Sequence, residues 1–254
     1  MSQPSSAIGA SEAAPSPLSA ARHGVVSASY EAGCTIEEPG RLSAELRVIA
    51  AGWAALAVTL PDGRRQIARL LIAGDICGPA DRRGGGGACA TIALTHVKAT
   101  SRGSLDAENH GKPLVDLLDD ASRRERMGVM MHVVRLGRMS AYERTGHLLL
   151  ELLERHASAG LAHGATIPMP LTQEILADTL GLSVVHMNRT LQQLRRDKCI
   201  IARAGRITFL DAERLALACD YVWEDGAPPQ PSAASEHGRT APDGMVRGVH
   251  LPGR

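Results

Sequence analysis

The sequence predicts an α+β chain: a β-rich first half, a long amphipathic helix, and a mainly helical second half. Three observations predict it. Short apolar runs separated by turn signals occupy about Val25 to Gly103, and several short strands at such spacing suggest a sandwich or barrel. From about Pro113 the apolar period becomes helical. The stretch LTQEILADTLGLSVVHMNRTLQQLRRDKCI, Leu171 to Ile200, then sets two capping residues around one glycine, the pattern of two helices joined by a tight turn.

Composition bounds the reading. A chain of 254 residues makes one large or two ordinary domains. Its hydrophobic fraction of 44% supplies a core, and with 2% aromatics that core is aliphatic and methionine-rich. The net charge of +1 announces no nucleic-acid partner. Five cysteines, Cys34, Cys77, Cys89, Cys199 and Cys219, lie far apart. They form no C-x-x-C or His/Cys cluster, so no metal site or cofactor is expected. An odd, scattered set fits a reducing cytoplasm, with each thiol a small buried apolar group. No apolar stretch is long enough to span a membrane, and no signal peptide is visible. The expected location is cytoplasmic.

The elements follow in order. Residues 1–23 are poor in bulky apolar side chains, and the tail from about Glu224 is rich in Pro, Gly and Ser; both are expected to be disordered. In the β half, ELRVIAAGWAALAVTL is followed by Pro61-Asp62-Gly63 and RQIARLLIAGDICG, a strong hairpin signal. A glycine run and ATIALTHVKAT complete that half. Ser122 and Glu125 have the spacing of a capping box. Met127, Met130, Met131 and Val134 then form an i, i+3, i+4, i+7 stripe. That stripe either packs on the chain's own β domain or pairs with its copy in a second subunit. A symmetric reader of DNA favours the second. Ser140 and Glu143 form another box, opening a helix with Leu148, Leu149, Leu152 and Leu153 on its buried face. Ala157 to Pro170 is expected to be a loop of small residues.

The next segment reads as a helix-turn-helix. Thr172 caps the first helix, whose Ile175, Leu176, Thr179 and Leu180 give one buried face. Gly181 stops it, Leu182 plugs the turn, and Ser183 caps the second helix. There Met187, Leu191 and Leu194 point inward. Val184, Val185, His186, Asn188 and Arg189 are left outward at the end of a recognition helix that reaches base edges. Arginine pairs bidentately with guanine, asparagine with adenine, and valine methyls pack on thymine methyls. His186 stays open between a phosphate contact and a solvated surface histidine. Candidate phosphate contacts are Thr172, Ser183, Gln192, Arg195, Arg196 and Lys198, with Arg203 and Arg206 near the tip of a hairpin, or wing, around Ala204-Gly205. From Arg189 to Arg206 there are six Lys/Arg against one acid, Asp197, and it is local charge that neutralises phosphate.

This order of parts resembles the Crp/Fnr family of bacterial transcription regulators, over about Gly33 to Tyr221. The matching stretches are GWAALAVTLPDGRRQIARLLIAGDICG (52–78), LGRMSAYERTGHLLLELLERH (136–156) and LTQEILADTLGLSVVHMNRTLQQLRRD (171–197). The resemblance implies a cyclic-nucleotide-binding-like β-roll (jelly roll) over 24–120, a dimerisation helix over 121–139, and a winged helix-turn-helix over 140–222, with 223–254 a tail. It implies a homodimer reading double-stranded DNA at a pseudo-palindrome, and RNA polymerase as a further partner if the protein activates.

Departures from the family pattern sharpen the expectation. Nucleotide-binding members carry a glycine-glutamate segment and then an Arg-Ser or Arg-Thr pair on the cyclic phosphate. Here the segment is Gly74-Asp75-Ile76-Cys77-Gly78, and Gly84 to Thr91 has no guanidinium, though Arg82 and Arg83 lie nearby. A phosphate without its arginine is an unpaired charge, so no cAMP or cGMP binding is expected. The oxygen-sensing branch clusters N-terminal cysteines, and only Cys34 lies there. What remains resembles the FixK-like branch that lacks both signatures. Val185 stands where many members have a glutamate accepting from cytosine, Arg189 matches the base-reading arginine, and Asn188 takes the small-residue or serine position beside it.

Two other readings compete. One is a ligand- or redox-sensing β-roll whose DNA binding depends on an unidentified signal, with Cys34, Cys77 and Cys89 as oxidation candidates if exposed. The other, an enzyme, lacks a paired acid and base, a nucleophile triad and a phosphate loop, since no Gly-Lys-Ser/Thr follows the glycine run.

Overall fold

The computed structural model describes residues 27–40, 47–77, 89–101, 114–224 and 226–229. Its first part is built from β1 (Ser27–Tyr30), β2 (Thr35–Glu37), β3 (Arg47–Ala51), β4 (Ala54–Thr59), β5 (Arg65–Leu71), β6 (Ile76–Cys77), β7 (Ala90–Ala93) and β8 (Val97–Ser101). They form two four-stranded antiparallel sheets, in the orders β1-β8-β3-β6 and β2-β7-β4-β5. The inner faces meet over Ile36, Ile49, Ala54, Leu71, Cys77, Ala93, Val97 and Ala99. This is the β-roll that the sequence implies.

One apolar run breaks where a flat alternation would continue. ELRVIAAGWAALAVTL becomes two strands because Gly52 turns the chain at φ 90°. A Cβ there would lie 2.2 Å from the carbonyl oxygen of His96, so only glycine fits. The Pro61-Asp62-Gly63 turn forms as expected: Leu60 N–H donates to the Arg64 carbonyl at 2.8 Å, and Gly63 N–H to the Leu60 carbonyl at 2.9 Å. A register shift then sets Leu56 against Arg69 and Ala57 against Ile67, leaving Ala68 as a bulge. Ile67 and Leu70 therefore share the outer face of this sheet, while Arg69 shares the inner face with Leu71.

Five helices follow among the described residues: α1 (Leu114–Arg138), α2 (Ala141–Ser158), α3 (Gln173–Leu180), α4 (Val184–Arg196) and α5 (Ala212–Ala218). Between and after them lie β9 (Thr166–Pro168), β10 (Ile200–Arg203) and β11 (Arg206–Phe209), joined as a sheet in the order β10-β11-β9. The outer face of β4 and β5 packs directly on this half. Trp53, Ala55, Ile67, Leu70 and Ile72 join Leu149, Leu152, Leu153, Leu180, Met187 and Leu194 in one continuous core. The β-roll and the helical half thus share buried surface, rather than meeting through a linker alone.

Several sequence expectations are corrected here. The long helix starts at Leu114 and not at 121, so Ser122 lies within it and the Ser122–Glu125 capping box does not form at its start. The segment from Ala157 to Pro170 is not all loop: Ile167 pairs with Ile207 and is fully buried. Trp223, placed in the tail, is buried against the core. Its ring lies 4.9 Å from that of Tyr221, which in turn lies 4.7 Å from His147. Glu154 ties this segment down by accepting from Tyr221 Oη at 2.5 Å and Glu224 N–H at 2.8 Å. Cys77, Cys199 and Cys219 are buried as expected, but Cys34 is exposed and Cys89 half-buried. The expectations for residues 1–23, Arg82, Arg83, the glycine run 84–87 and the chain beyond 229 lie outside the described residues.

The Ser140–Glu143 box is present: Ser140 N–H donates to Glu143 Oε2 at 2.7 Å and Glu143 N–H to Ser140 Oγ at 3.3 Å. It starts α2 only two residues after α1 ends. Met127 and Met130 on α1 are 64% and 63% exposed, and Met131 and Val134 are 39% and 42%. The stripe is therefore not packed on the chain's own β domain.

Candidate nucleic-acid interface

The helix pair builds itself locally. Thr172 Oγ1 accepts from Ile175 N–H at 3.2 Å and starts α3. Gly181 ends it in the left-handed conformation, φ 62° and ψ 38°, and Leu182 N–H donates to the Ala177 carbonyl at 3.0 Å. Ser183 Oγ accepts from His186 N–H at 3.2 Å and starts α4. Both cap hydroxyls keep a proton to donate outward, and both residues are exposed. On α4, Met187, Thr190, Leu191 and Leu194 are buried, with Thr190 Oγ1 donating to the His186 carbonyl at 3.0 Å.

The opposite face of α4 is open. Val184, Val185, His186 and Arg189 are exposed together, and Asn188 is half-buried beside them. Asn188 Oδ1 accepts from Gln192 Nε2 at 3.4 Å. Arg195 and Arg196 are exposed in the last turn. Lys198 follows with a positive φ of 54°, its N–H bonded to the Arg195 carbonyl at 3.0 Å. That conformation stops α4 and turns the chain into β10.

The wing is a two-residue hairpin. Arg203 pairs with Arg206 across Ala204-Gly205, both of which have positive φ, 49° and 68°, as a tight hairpin turn requires. Met169 N–H donates to the Gly205 carbonyl at 2.7 Å, so the segment entering α3 also fixes the wing tip. Arg203 and Arg206 are exposed at that tip. The structure thus gives the sequence-predicted residues one exposed helix face, two cap hydroxyls, a basic helix end and a basic wing tip.

Residues with a positioning part escaped the sequence reading. Arg144 donates from Nε and Nη2 to the Met139 carbonyl at 3.1 and 2.9 Å, and from Nη1 to the Leu180 carbonyl at 2.9 Å. It fastens the α1–α2 junction to the end of α3. Arg214 on α5 donates to the carbonyl of Asp197, bracing the turn after α4. Nothing in the spacing marks these two arginines apart from solvated ones. β9 carries only three residues, too few for periodicity to register.

The second place the resemblance makes functional is the seat of a cyclic phosphate, between Gly74-Asp75 and the long helix. The described residues there offer that group little. Asp75 Oδ2 already accepts from Ile72 N–H at 2.7 Å and from Arg155. The cavity left there, lined by Arg69, Leu71, Gly74, Asp75, Ile76, Ala121, Arg124 and Glu125, has a volume of ≈ 20 Å³, about the space of one water.

A β-roll joined by a long helix to a capped helix pair with a basic wing defines a DNA-binding transcription regulator. Known proteins agree. Residues 143–218 match the Crp-like helix-turn-helix domain. The transcriptional activatory protein AadR of Rhodopseudomonas palustris is 30% identical over 165 residues, 64% of this chain and 68% of that one. The transcriptional activator protein FnrL of Cereibacter sphaeroides is 30% identical over 203 residues, 74% and 77% of the two chains. The chain spans 66% of the nitrogen fixation regulation protein FixK of Bradyrhizobium diazoefficiens, at 31% identity. The solved structure of FixK2 from Bradyrhizobium japonicum superposes with a TM-score of 0.63 at 25% identity, over 76% of this chain and 96% of that one. The chain belongs to the Crp/Fnr family and is of FixK type.

Proposed function

We propose that the protein is a homodimer that reads a pseudo-palindromic promoter site through α4, in the cytoplasm of a bacterium and without cyclic-nucleotide control. The observation that carries this is the open face of α4, with Val184, Val185, His186 and Arg189 exposed and Asn188 half-buried beside them, opposite the buried Met187, Thr190, Leu191 and Leu194. Arg189 supplies a fork for guanine, and Val184 and Val185 supply methyls for thymine. Thr172, Ser183, Gln192, Arg195, Arg196, Lys198, Arg203 and Arg206 anchor phosphates and set the register. The mechanism is positioning, and the reading needs no bond-making chemistry from the chain. The exposed stripe of Met127, Met130, Met131 and Val134 supports pairing of α1 with its copy, which sets two α4 helices about 34 Å apart. Asp75, whose carboxylate is already held by Ile72 N–H and Arg155, supports independence from a cyclic nucleotide. Relatives whose names say that they activate transcription support activation, with RNA polymerase as the partner.

The test is selection of bound sequences from a random DNA pool by ligand-free protein. We expect an enriched palindrome with half-sites about one turn, 10 base pairs, apart. Arg189→Ala should lose discrimination at one base pair by about 1–3 kcal/mol, while Arg203→Ala weakens all sequences alike and lowers the salt slope by about 1. Normal specific binding by both variants would remove α4 from the reading role.

A further inference from the structure

Six charged residues meet where the three parts of the molecule join. Arg69 and Asp75 come from the β-roll, Glu125 and Arg135 from α1, and Glu151 and Arg155 from α2. Three are cationic and three anionic. Arg155 donates to Asp75, to the Leu70 carbonyl at 2.9 Å and to Glu151 Oε1 at 3.1 Å. Glu151 Oε2 accepts from Arg135 Nη2 at 2.5 Å. Arg135 is 1% exposed. An unbroken chain, Asp75–Arg155–Glu151–Arg135, therefore runs from the β-roll through α2 to α1.

Arg69 lies beside this chain of ion pairs. It is 8% exposed and lies against Gly128 of α1, where a Cβ would come within 1.5 Å of Nη1. Its guanidinium fills the gap between sheet and helix, beside the small cavity that it lines with Asp75 and Glu125. The Ala68 bulge turns it to that side. A second tie lies at the far end of β5. Arg65 Nε and Nη2 donate to Asp178 Oδ2 of α3 at 2.9 and 2.7 Å, and Gln66 Nε2 donates to the Thr179 carbonyl at 3.1 Å.

Buried ion pairs are weak sources of stability, because desolvation consumes most of the attraction; their best-attested use is to specify one arrangement over others. Here the arrangement specified is that of the DNA-reading helices relative to the β-roll and to α1. We propose that the cluster of Arg69, Asp75, Glu125, Arg135, Glu151 and Arg155 is a built-in coupling device that sets the DNA-reading unit on its β-roll without a ligand. An internal guanidinium, Arg69, occupies the seat between sheet and helix. Arg155 and Arg135 are positioning residues for DNA recognition. This inference rests on the DNA-reader assignment above.

The test removes charges in a balanced pair. The double variant Asp75→Leu/Arg155→Met keeps the remaining charges two against two and substitutes apolar side chains for the pair. We expect the full-length protein to stay folded and to keep its thermal midpoint within a few degrees, while its affinity for the selected DNA site falls tenfold or more. Unchanged affinity in the folded variant would overturn the proposal. Hydrogen exchange of the unaltered protein gives a reading independent of that variant's folding. Amides of Ile67–Leu71 and Leu176–Leu180 should open together, and separate opening would overturn the coupling. If the unaltered protein selects no DNA site, the reader assignment fails, while the exchange measurement still decides the coupling.

Discussion

A guanidinium set between two histidines decides their protonation. Arg135 Nη1 faces His132 Nδ1 at 3.3 Å, and Nη2 faces His147 Nδ1 at 3.0 Å. Arginine only donates, so both Nδ1 atoms accept and both rings are neutral, with the proton on Nε2. Burial, then the Arg135 charge, pulls both histidines down to about 4 from 6.5. Burial likewise pulls His156, beside Trp53, down to about 4. The carboxyl of Glu151 would rise on burial, but Arg135, Arg155 and Arg69 outweigh that and hold it at about 2. The sign follows from proton counting. Between pH 6.5 and 4 the unfolded chain binds protons at these histidines and the fold does not, so stability is full above 6.5 and falls as pH drops toward 4. Each histidine adds up to about 1.4 kcal/mol per pH unit. Urea midpoints at pH 7 and pH 5 check this: a clearly lower midpoint at pH 5 is expected, and equal midpoints would refute neutral burial. None of this was legible in the sequence, because His132, Arg135, His147 and Glu151 look like solvated helix residues until two helices and a sheet fold around them.

The elements were more readable than the residues, and the reason is locality. Thr172, Gly181, Ser183, the Ser140–Glu143 box and the Ala204-Gly205 turn each act within four residues, so sequence alone names their partners. The Ser122–Glu125 box failed because that pattern also suits a helix interior, and the true start lies at Leu114. β9 was missed because its partner, β11, lies some forty residues on. Gly52 and Gly181 show how one residue type does two jobs. At Gly181 an added Cβ would meet nothing nearer than 3.6 Å, from Leu136, so an alanine there strains only the backbone. At Gly52 it would also strike the His96 carbonyl at 2.2 Å. Gly181→Ala should therefore cost about 1 kcal/mol and Gly52→Ala more than about 3 kcal/mol. Thermal unfolding of the two variants decides this, and equal losses would mean that the β3–β4 turn relaxes freely.

At the scale of the whole molecule, two surfaces of α1 have opposite fates. One side, at Gly128, His132 and Arg135, is closed against β5 and α2. The other carries exposed Met127, Met130, Met131, Val133 and Val134. The order of parts was legible because each has its own period, while the shared core of β4, β5 and the helical half was not, since strand alternation leaves the outer partner of Ile67 and Leu70 unnamed. A single subunit presents one α4 and one wing, enough on the proposed reading for one half-site. On the proposed reading, specific affinity depends on a second subunit held at fixed spacing, and among the described side chains of α1 the apolar strip left open is Met127, Met130, Met131, Val133 and Val134. Charging it should separate the subunits without touching either core. Met127→Glu/Met130→Glu replaces two side chains that are about two-thirds exposed, so the fold of the subunit should persist. Sedimentation should report a monomer with the thermal signature of the β-roll intact. Affinity for a full palindrome should fall at least a hundredfold, while affinity for an isolated half-site changes little, because binding two linked sites multiplies affinity by an effective concentration. A charged variant that still sediments as a dimer would place the subunit contact elsewhere, and the spacing of the selected half-sites would then have to be explained without α1.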